Sequence, residues 1–351
     1  MASPAIPSAP PPRTVCLLRL SALGDVCNTV PLVRAIQQSW PSVRLSWIIG
    51  RNEHALVRGL SDIEFIVFDK RRGIPAWRDL RRALQGRRFD VLLLAQVSAR
   101  ANLLSLLIRA RRRIGFDRQR AREGHSLVIN ERIAEAPFQH QAEALLSFAT
   151  QLGVETAGVD RQLPVSESAL AFARQHQPEP GRTVLISPAS SHSGRNWHAH
   201  GYAQVADWVI NEAKRPVILV GGPSRAELEL GAAIEQQMRS RPLNLIGQDT
   251  LEQAVAMLAR PACVVTPDAG PAHFAAAMGT PVVGLYAATW SRRSGPLGSL
   301  QHCVDRFPEA AMQFTGKPPE QLRWGRRLEL PGVMDLIQAD QVIARLESLL
   351  R

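Results

Sequence analysis

Short, continuous apolar runs alternate along this chain with longer stretches whose apolar positions recur every three or four residues. In the first half the runs lie at residues 14–20 (TVCLLRL), 45–49, 65–68 and 91–95. A strand buried on both faces reads this way, because neither face has to meet water. After the first run comes a loop at residues 21–25 and then a helical stretch, 27–39. Val30, Val33, Ile36 and Gln37 fall along one side of that stretch, and Trp40-Pro41 stops it. Such alternation is the β-α-β rhythm of a parallel sheet. Residues 161–182 (RQLPVSESALAFARQHQPEPGR), closed by Pro178 and Pro180-Gly181, read as a helix and linker, and the rhythm then restarts. Runs at 184–187, 217–220, 243–246, 263–266 and 282–286 follow, separated by helical sequence such as 251–259.

The pattern predicts an α/β protein of two domains with parallel sheets facing a central cleft. The domains are placed at residues 13–165 and 183–330, with a linker at 166–182. Residues 331–351 add a helix over 334–350, apolar at Leu336, Val342, Ile343, Leu346 and Leu350, expected to pack back on the first domain. Residues 1–12 (MASPAIPSAPPP) lack the basic start and apolar centre of a signal peptide and read as a disordered tail.

Composition narrows the class. A chain of 351 residues is long enough for two cores, and 45% apolar with 21% charged residues excludes a disordered or fibrous protein. The four cysteines, Cys16, Cys27, Cys263 and Cys303, are scattered without a C-x-x-C pair, which fits a reducing, cytoplasmic setting. No run of about 18 uncharged apolar residues is available for a membrane span. The net charge of +11 is lopsided: residues 1–165 carry 24 Lys and Arg against 14 Asp and Glu, and the remainder 18 against 17. Only Lys70, Lys214 and Lys317 are lysines; arginine is the better bidentate partner of carboxylates and phosphates. The first half is therefore expected to meet something anionic.

Three loops carry candidate chemistry. Thr266-Pro-Asp-Ala-Gly-Pro-Ala-His273 follows one strand and opens a helix. Its small residues leave backbone N–H groups and a helix dipole facing an anion, with Asp268 as a cap and His273 in the first turn; an ordinary β-α turn has the same spacing. Ser187-Pro-Ala-Ser-Ser-His-Ser-Gly-Arg-Asn-Trp197 offers hydroxyls at Ser190 and Ser191 and a cation at Arg195, a set suited to phosphate oxygens, or else is a polar loop anchored by Trp197. Ser21-Ala-Leu-Gly-Asp25 follows the first strand. Gly24 permits a tight turn, and Asp25 is either a helix N-cap or a general base at the carboxyl edge of the sheet.

Other signatures are absent. There is no G-x-G-x-x-G after the first strand, no G-x-x-x-x-G-K-[ST], no H-E-x-x-H, no G-x-S-x-G and no D-x-D. A leaving diphosphate would then be stabilised by protein donors, without a metal. Basic residues gather at Lys70, Arg71, Arg72, Arg78, Arg81 and Arg82 and again as seven arginines over 109–122. These are either solvated helix faces or a surface for an anionic partner at a membrane. Few aromatics interleave with them, so nucleic acid is not expected as a partner.

Together, LLRLSALGDVCNTVPLVRAI, SPASSHSGRNW and VVTPDAGPAHFAAAMGTPVVGLYAATW resemble glycosyltransferase family 9, the ADP-heptose:lipopolysaccharide heptosyltransferases, over roughly residues 13–330. The resemblance implies a GT-B fold of two Rossmann-like domains, acceptor on the first and nucleotide sugar on the second. It also implies inverting, metal-independent transfer with no cofactor, ADP-heptose being the donor substrate. Asp25 matches the family's catalytic aspartate, and Ser190 and Ser191 its paired hydroxyls. Arg195 stands where the family has a phosphate-binding lysine. Asp268, Ala269, Gly270, Pro271 and His273 match the D-x-G-x-x-H signature, with Ala269 replacing the usual Thr or Ser. Either Glu227 or Glu229 matches the ribose-binding acid. GFDRQRAREG and the Arg71-Arg72 segment look most like enzymes adding the first heptose to the Kdo of the inner core. That likeness makes Ser21, Gly24, Arg71, Arg72 and Arg122 acceptor contacts. It further implies a Kdo-lipid A partner and a peripheral place on the cytoplasmic face of the inner membrane. The rival classes are a later core heptosyltransferase, another GT-B transferase or UDP-sugar epimerase, and a non-catalytic basic binding protein.

Overall fold

A computed structural model describes residues 10–351, so most of the expected tail at 1–12 lies outside the described residues. The chain divides into two compact units, Met1–Pro164 and Val165–Arg351.

The first unit is built on a six-stranded parallel sheet. Its strands are β1 (Thr14–Leu18), β2 (Arg44–Gly50), β3 (Ile63–Phe68), β4 (Phe89–Leu94), β5 (Ala110–Gly115) and β6 (Glu131–Arg132), in the order β3-β2-β1-β4-β5-β6. β1 runs between β2 and β4, with Leu17 opposite both Trp47 and Leu93. Val15, Cys16, Leu17 and Leu18 are wholly buried, which is why this run carries no alternation. Helices cover both faces; Val30–Ser39, with Pro31 in its first turn, buries Val30, Leu32, Val33 and Ile36.

The second unit repeats the plan with β7 (Val184–Ile186), β8 (Val217–Leu219), β9 (Leu243–Asn244), β10 (Cys263–Pro267), β11 (Val282–Tyr286) and β12 (Val304–Asp305). Its order, β12-β11-β10-β7-β8-β9, is the first sheet's order over again, with β7 in the place of β1 and β10 in that of β4.

Three expectations are corrected. The helix Glu167–His176 belongs to the second unit: Ala169 and Ala173 are buried there and Gln177 donates to the Met257 carbonyl at 2.8 Å, so 166–182 is not a free linker. The final helix is Ala339–Leu350, preceded by a 3₁₀ turn at Met334–Leu336. Its Val342 and Leu346 sit in one core with Trp197, Leu285 and Val304 of the second unit, not on the first. Residues 110–115 of the arginine-rich run are strand β5 rather than a helix face. Arg112 forks onto Glu131 of β6 at 2.8 Å through both Nε and Nη2, and Arg113 donates to the carbonyls of Val128, Ile108 and Ser105. Among the described residues no helix is long and apolar enough to cross a membrane.

Candidate active site

A doubly wound sheet has a crevice where its strand order reverses, outside the carboxyl ends of the two central strands, and ligands bind there. In the first unit that point lies between β1 and β4, and in the second between β7 and β10. The loops leaving these four strands begin at residues 19, 95, 187 and 268. Three of them are the loops singled out in the sequence.

Asp25 follows β1 as the third residue of the helix Leu23–Cys27. The residue before that helix is Ala22, which makes no side-chain cap, so the N-cap reading of Asp25 does not hold. Gly24 is the second helical residue rather than the pivot of a turn. The Asp25 carboxylate, 31% exposed, is ion-paired with Arg19. Arg19 was not singled out in the sequence, although one arginine closing an apolar run is a visible signal. It is 4% exposed, and its Nη1 donates to the Ala95 carbonyl at 2.5 Å. Gln96, on the loop after β4, accepts from the Leu20 N–H at 2.7 Å and the Ser21 N–H at 3.3 Å, fixing the segment before Asp25.

Beside it, a cavity is lined by Ser21, Arg51, Glu53, Lys70, Arg71 and Arg100 among others. Asp69 accepts from the Arg71 backbone N–H at 3.0 Å and shapes that turn. Hydrogen bonds from Arg51 and from that N–H hold the Asp69 carboxyl below its usual value. Burial pushes the Glu53 carboxyl up. The predicted Ser21 and Arg71 are thus brought together. Arg72 is not among the lining residues; it pairs with Asp79 at 2.7 Å. Arg122 is exposed on the loop after β5, outside this lining.

That loop is pinned by His125, which is fully buried. Its Nε2 accepts from the Phe116 N–H at 3.0 Å, so the ring proton is on Nδ1, which faces Asn102 Oδ1 at 3.0 Å. Burial, reinforced by the nearby Arg132 charge, pushes the imidazole down to about 4. It is a neutral structural histidine.

In the second unit the loops after β7 and β10 meet. Ser190 Oγ donates to the Asp268 carbonyl at 3.2 Å, and the Ser190 N–H to Asn196 Oδ1 at 2.7 Å. Ser191 is exposed. Trp197, 1% exposed, donates to the Ile337 carbonyl at 3.0 Å and packs so closely on Gly201 that a Cβ there would lie 2.3 Å from its ring. Asp268 does not cap the helix Gly270–Ala277; the cap position is Ala269, which offers no side chain bond. The Asp268 carboxylate instead lies 3.4 Å from Arg195 Nη1 and from Ser294 Oγ. Arg195 also donates through Nε to Glu329 Oε1 at 2.7 Å. Burial raises the Glu329 carboxyl, but this bond and the Arg195 charge, with help from His192 and Arg327, bring it below its usual value. Gly270 and Pro271 open the helix, and His273 lies half-buried in its first turn.

The two competing glutamates separate cleanly. Glu227 lies in the first turn of the helix that Ser224 caps, its carboxylate accepting from the Gly222 N–H at 2.5 Å and from Ser224 Oγ at 2.9 Å, just after β8. Glu229 is an exposed partner of Arg225. Asp249, after β9, has a buried Oδ2 with no partner among the described residues; burial, then the Glu227 charge, pushes its carboxyl up to about 6. The four cysteines are buried thiols outside any disulfide, and burial raises them and leaves them inert.

Comparison with known proteins agrees with this geometry. The model of glycosyltransferase family 9 (heptosyltransferase) matches residues 77–322. The lipopolysaccharide core heptosyltransferase OpsX of Haemophilus influenzae is 36% identical over 338 residues, 96% of this chain and 97% of that protein. A family 9 glycosyl transferase from Veillonella parvula superposes with a TM-score of 0.78 at 20% identity, covering 96% of this chain and 97% of its own. The Escherichia coli heptosyltransferase WaaC, solved with ADP, gives 0.72 at 20% identity, over 96% and 99%. Two doubly wound units of this topology are the GT-B architecture; the family match makes the chain a glycosyltransferase. The chain belongs to glycosyltransferase family 9 (heptosyltransferase).

Proposed function

We propose that this chain transfers heptose from ADP-heptose to the Kdo of a lipopolysaccharide inner core, adding the first heptose, with inversion and without a metal. The observation that carries the reading is the gathering of Ser190, Arg195, Asp268 and an uncapped helix start at one switch point. Its family and its likeness to a lipopolysaccharide core heptosyltransferase supply the sugar and the acceptor class.

In this reading Asp25, oriented by Arg19, takes the proton of an acceptor hydroxyl as that oxygen attacks the anomeric carbon. A new carbon–oxygen bond forms, the bond to the diphosphate breaks, and its electron pair leaves with ADP. Arg195, Ser190, Ser191 and the Gly270 end of the helix stabilise the charge that builds there. Glu227 holds the ribose. Arg71, with Lys70 and Arg100 beside it, meets the carboxylates and phosphates of Kdo-lipid A, and Arg72 and Arg122 extend that basic surface. The basic first half suits a peripheral position on the anionic cytoplasmic face of the inner membrane.

Thermal stabilisation by ADP, compared with UDP, GDP and a short RNA, is the first test. A shift with RNA alone would sink the transferase reading. Turnover of ADP-heptose on Kdo-lipid A then compares wild type with Asp25→Asn, whose rate should fall about 10²–10⁴-fold if Asp25 is the base. A folded variant with near-normal rate removes Asp25 from that role. Preference for an acceptor already carrying heptose would move the assignment to a later core position.

A further inference from the structure

The donor-side cation of the second unit is held from two directions and left unbonded in a third. Arg195 is 9% exposed. Glu329 takes its Nε–H at 2.7 Å and Asp268 lies 3.4 Å from Nη1, while Nη2 is buried with no partner among the described residues. A buried guanidinium nitrogen left unbonded is costly, and a phosphate oxygen is the kind of acceptor that satisfies it.

Glu329 is placed for this task by its own segment. The Leu328 N–H donates to the Ala288 carbonyl at 2.8 Å, and Leu328 is 1% exposed, so the strand of chain carrying Glu329 is anchored in the core. Gly194, the residue before Arg195, lies directly against it; a Cβ at 194 would come within 2.8 Å of the Glu329 Cβ. The glycine lets the carboxylate close on the guanidinium. Glu329 Oε2 faces His192 Nδ1 at 3.8 Å.

By charge alone Glu329 is a liability. Arg195 with Asp268 and Glu329 sums to a formal −1, which repels a diphosphate. The carboxylate must therefore act through direction if it aids the donor at all. A lysine would need no such help, because an ammonium is a compact point charge with rotating donors, whereas a guanidinium presents its N–H groups in a fixed plane.

We propose that Glu329 is a positioning residue for Arg195: it holds the Nε edge while Asp268 holds Nη1, and so aims Nη2 at the leaving diphosphate. The proposal rests on the reading of Arg195 as the donor's cation. It explains how an arginine can work at a position where the resemblance implies a lysine.

The test is calorimetric titration of ADP into the full chain, with melting temperatures in parallel, for wild type, Glu329→Ala, Glu329→Gln, Arg195→Lys and the double variant Arg195→Lys/Glu329→Ala. Glu329→Ala should weaken ADP binding about tenfold, the scale of one lost charge-assisted bond. Glu329→Gln keeps an oxygen facing Nε without the charge and should stay within about threefold of wild type or bind tighter. With lysine at 195 there is no Nε edge to hold, so adding Glu329→Ala should change affinity less than about twofold. Glu329→Ala binding ADP as tightly as wild type, or more tightly, overturns the proposal. So does an equal loss in both backgrounds, which is what damage to the loop would give. Wild type binding no ADP would overturn the donor reading itself, and the proposal with it; wild-type binding with an indifferent Glu329→Ala overturns the proposal alone.

Discussion

Replacing Arg19 by methionine should slow the transfer while leaving the fold nearly as stable as before. Arg19 is 4% exposed, donates to the Ala95 carbonyl at 2.5 Å, pairs with Asp25, and has a buried Nε without a partner among the described residues. Three terms decide the stability change. Losing the donor to the Ala95 carbonyl costs about 1–3 kcal/mol. Removing a buried, incompletely bonded cation returns an amount of similar size, since keeping one buried ion out of water costs several kcal/mol. Asp25 is left behind, but its side chain is 31% exposed, so water takes the vacated place. The sum lies within about 2 kcal/mol of zero, a melting shift of no more than about 8 °C for a unit of this size.

The chemical step has no such compensation. A carboxylate freed to rotate loses its aim, and misplacement of a catalytic group by about 1 Å costs on the order of 10²-fold. We expect kcat to fall about 10- to 100-fold, equivalent to about 1.4–2.7 kcal/mol of barrier, with ADP affinity unchanged because the loops proposed to hold the donor lie in the other unit. Arg19→Lys keeps the charge with a shorter reach and should recover part of the loss. Steady-state kinetics with ADP-heptose, ADP titration and a melting curve on each variant make the assay. A folded Arg19→Met enzyme with wild-type kcat refutes the reasoning; so does a large melting shift with kcat intact, which would make Arg19 a strut and nothing more.

Two further outcomes concern pH. His125 has its folded value lowered to about 4 from 6.5, so its contribution is fully present above pH 6.5 and is lost as pH falls through 4. It amounts to about 3 kcal/mol; urea unfolding from pH 7.5 to 4.5 should show a steeper loss for wild type than for His125→Gln, and parallel profiles would exclude this role. Asp249 has the opposite sign: raised to about 6 from 3.8, its contribution is fully present below pH 3.8 and lost as pH rises through 6. Asp249→Asn should therefore stabilise the apo protein at pH 8 by about 1 kcal/mol, a figure discounted for partial exposure, with the gain vanishing by pH 4. Equal gains at both pH values would contradict the buried-carboxylate account.

Much of the fold was legible because central strands of parallel sheets must be apolar on both faces. β1, β2, β4, β7, β10 and β11 are buried almost end to end, and each stood out as a continuous run. β5 did not, because ARRRIG carries its charges into the sheet and satisfies them there, Arg112 on Glu131 and Arg113 on three carbonyls. β6 and β12 are two residues long and leave no pattern to read. In the site, the motif residues were visible where they lie together in sequence. Arg19 was passed over because a lone arginine closing an apolar run is read as an exception, and Glu329 because its partner Arg195 is 134 positions away. The cap readings of Asp25 and Asp268 failed for a shared reason. In both loops the helix begins beside a residue without a capping side chain, Ala22 or Ala269, which leaves the nearby carboxylate to an arginine.

That shared arrangement bears on where recognition comes from. Each switch point sets an aspartate at a helix start against a largely buried arginine, Arg19 with Asp25 and Arg195 with Asp268. The two pairs differ in what is left over. At Asp25 the carboxylate is the more exposed partner, 31% against 5%, so the group facing outward is a proton acceptor. At Arg195 both side chains are 10% exposed, and a second carboxylate joins, so the excess is negative and, among the described residues, the unpartnered group on the cation is the buried Nη2. Bulk charge thus cannot draw a diphosphate to the second unit, whose 18 basic and 17 acidic residues over 166–351 nearly cancel. In the proposed reading, donor binding there comes from directed N–H and O–H groups, whereas the first half, with 24 basic residues against 14 acidic, has charge to spare for an anionic acceptor. On that reading the same doubly wound frame serves two modes of recognition, directional in one unit and long-range in the other.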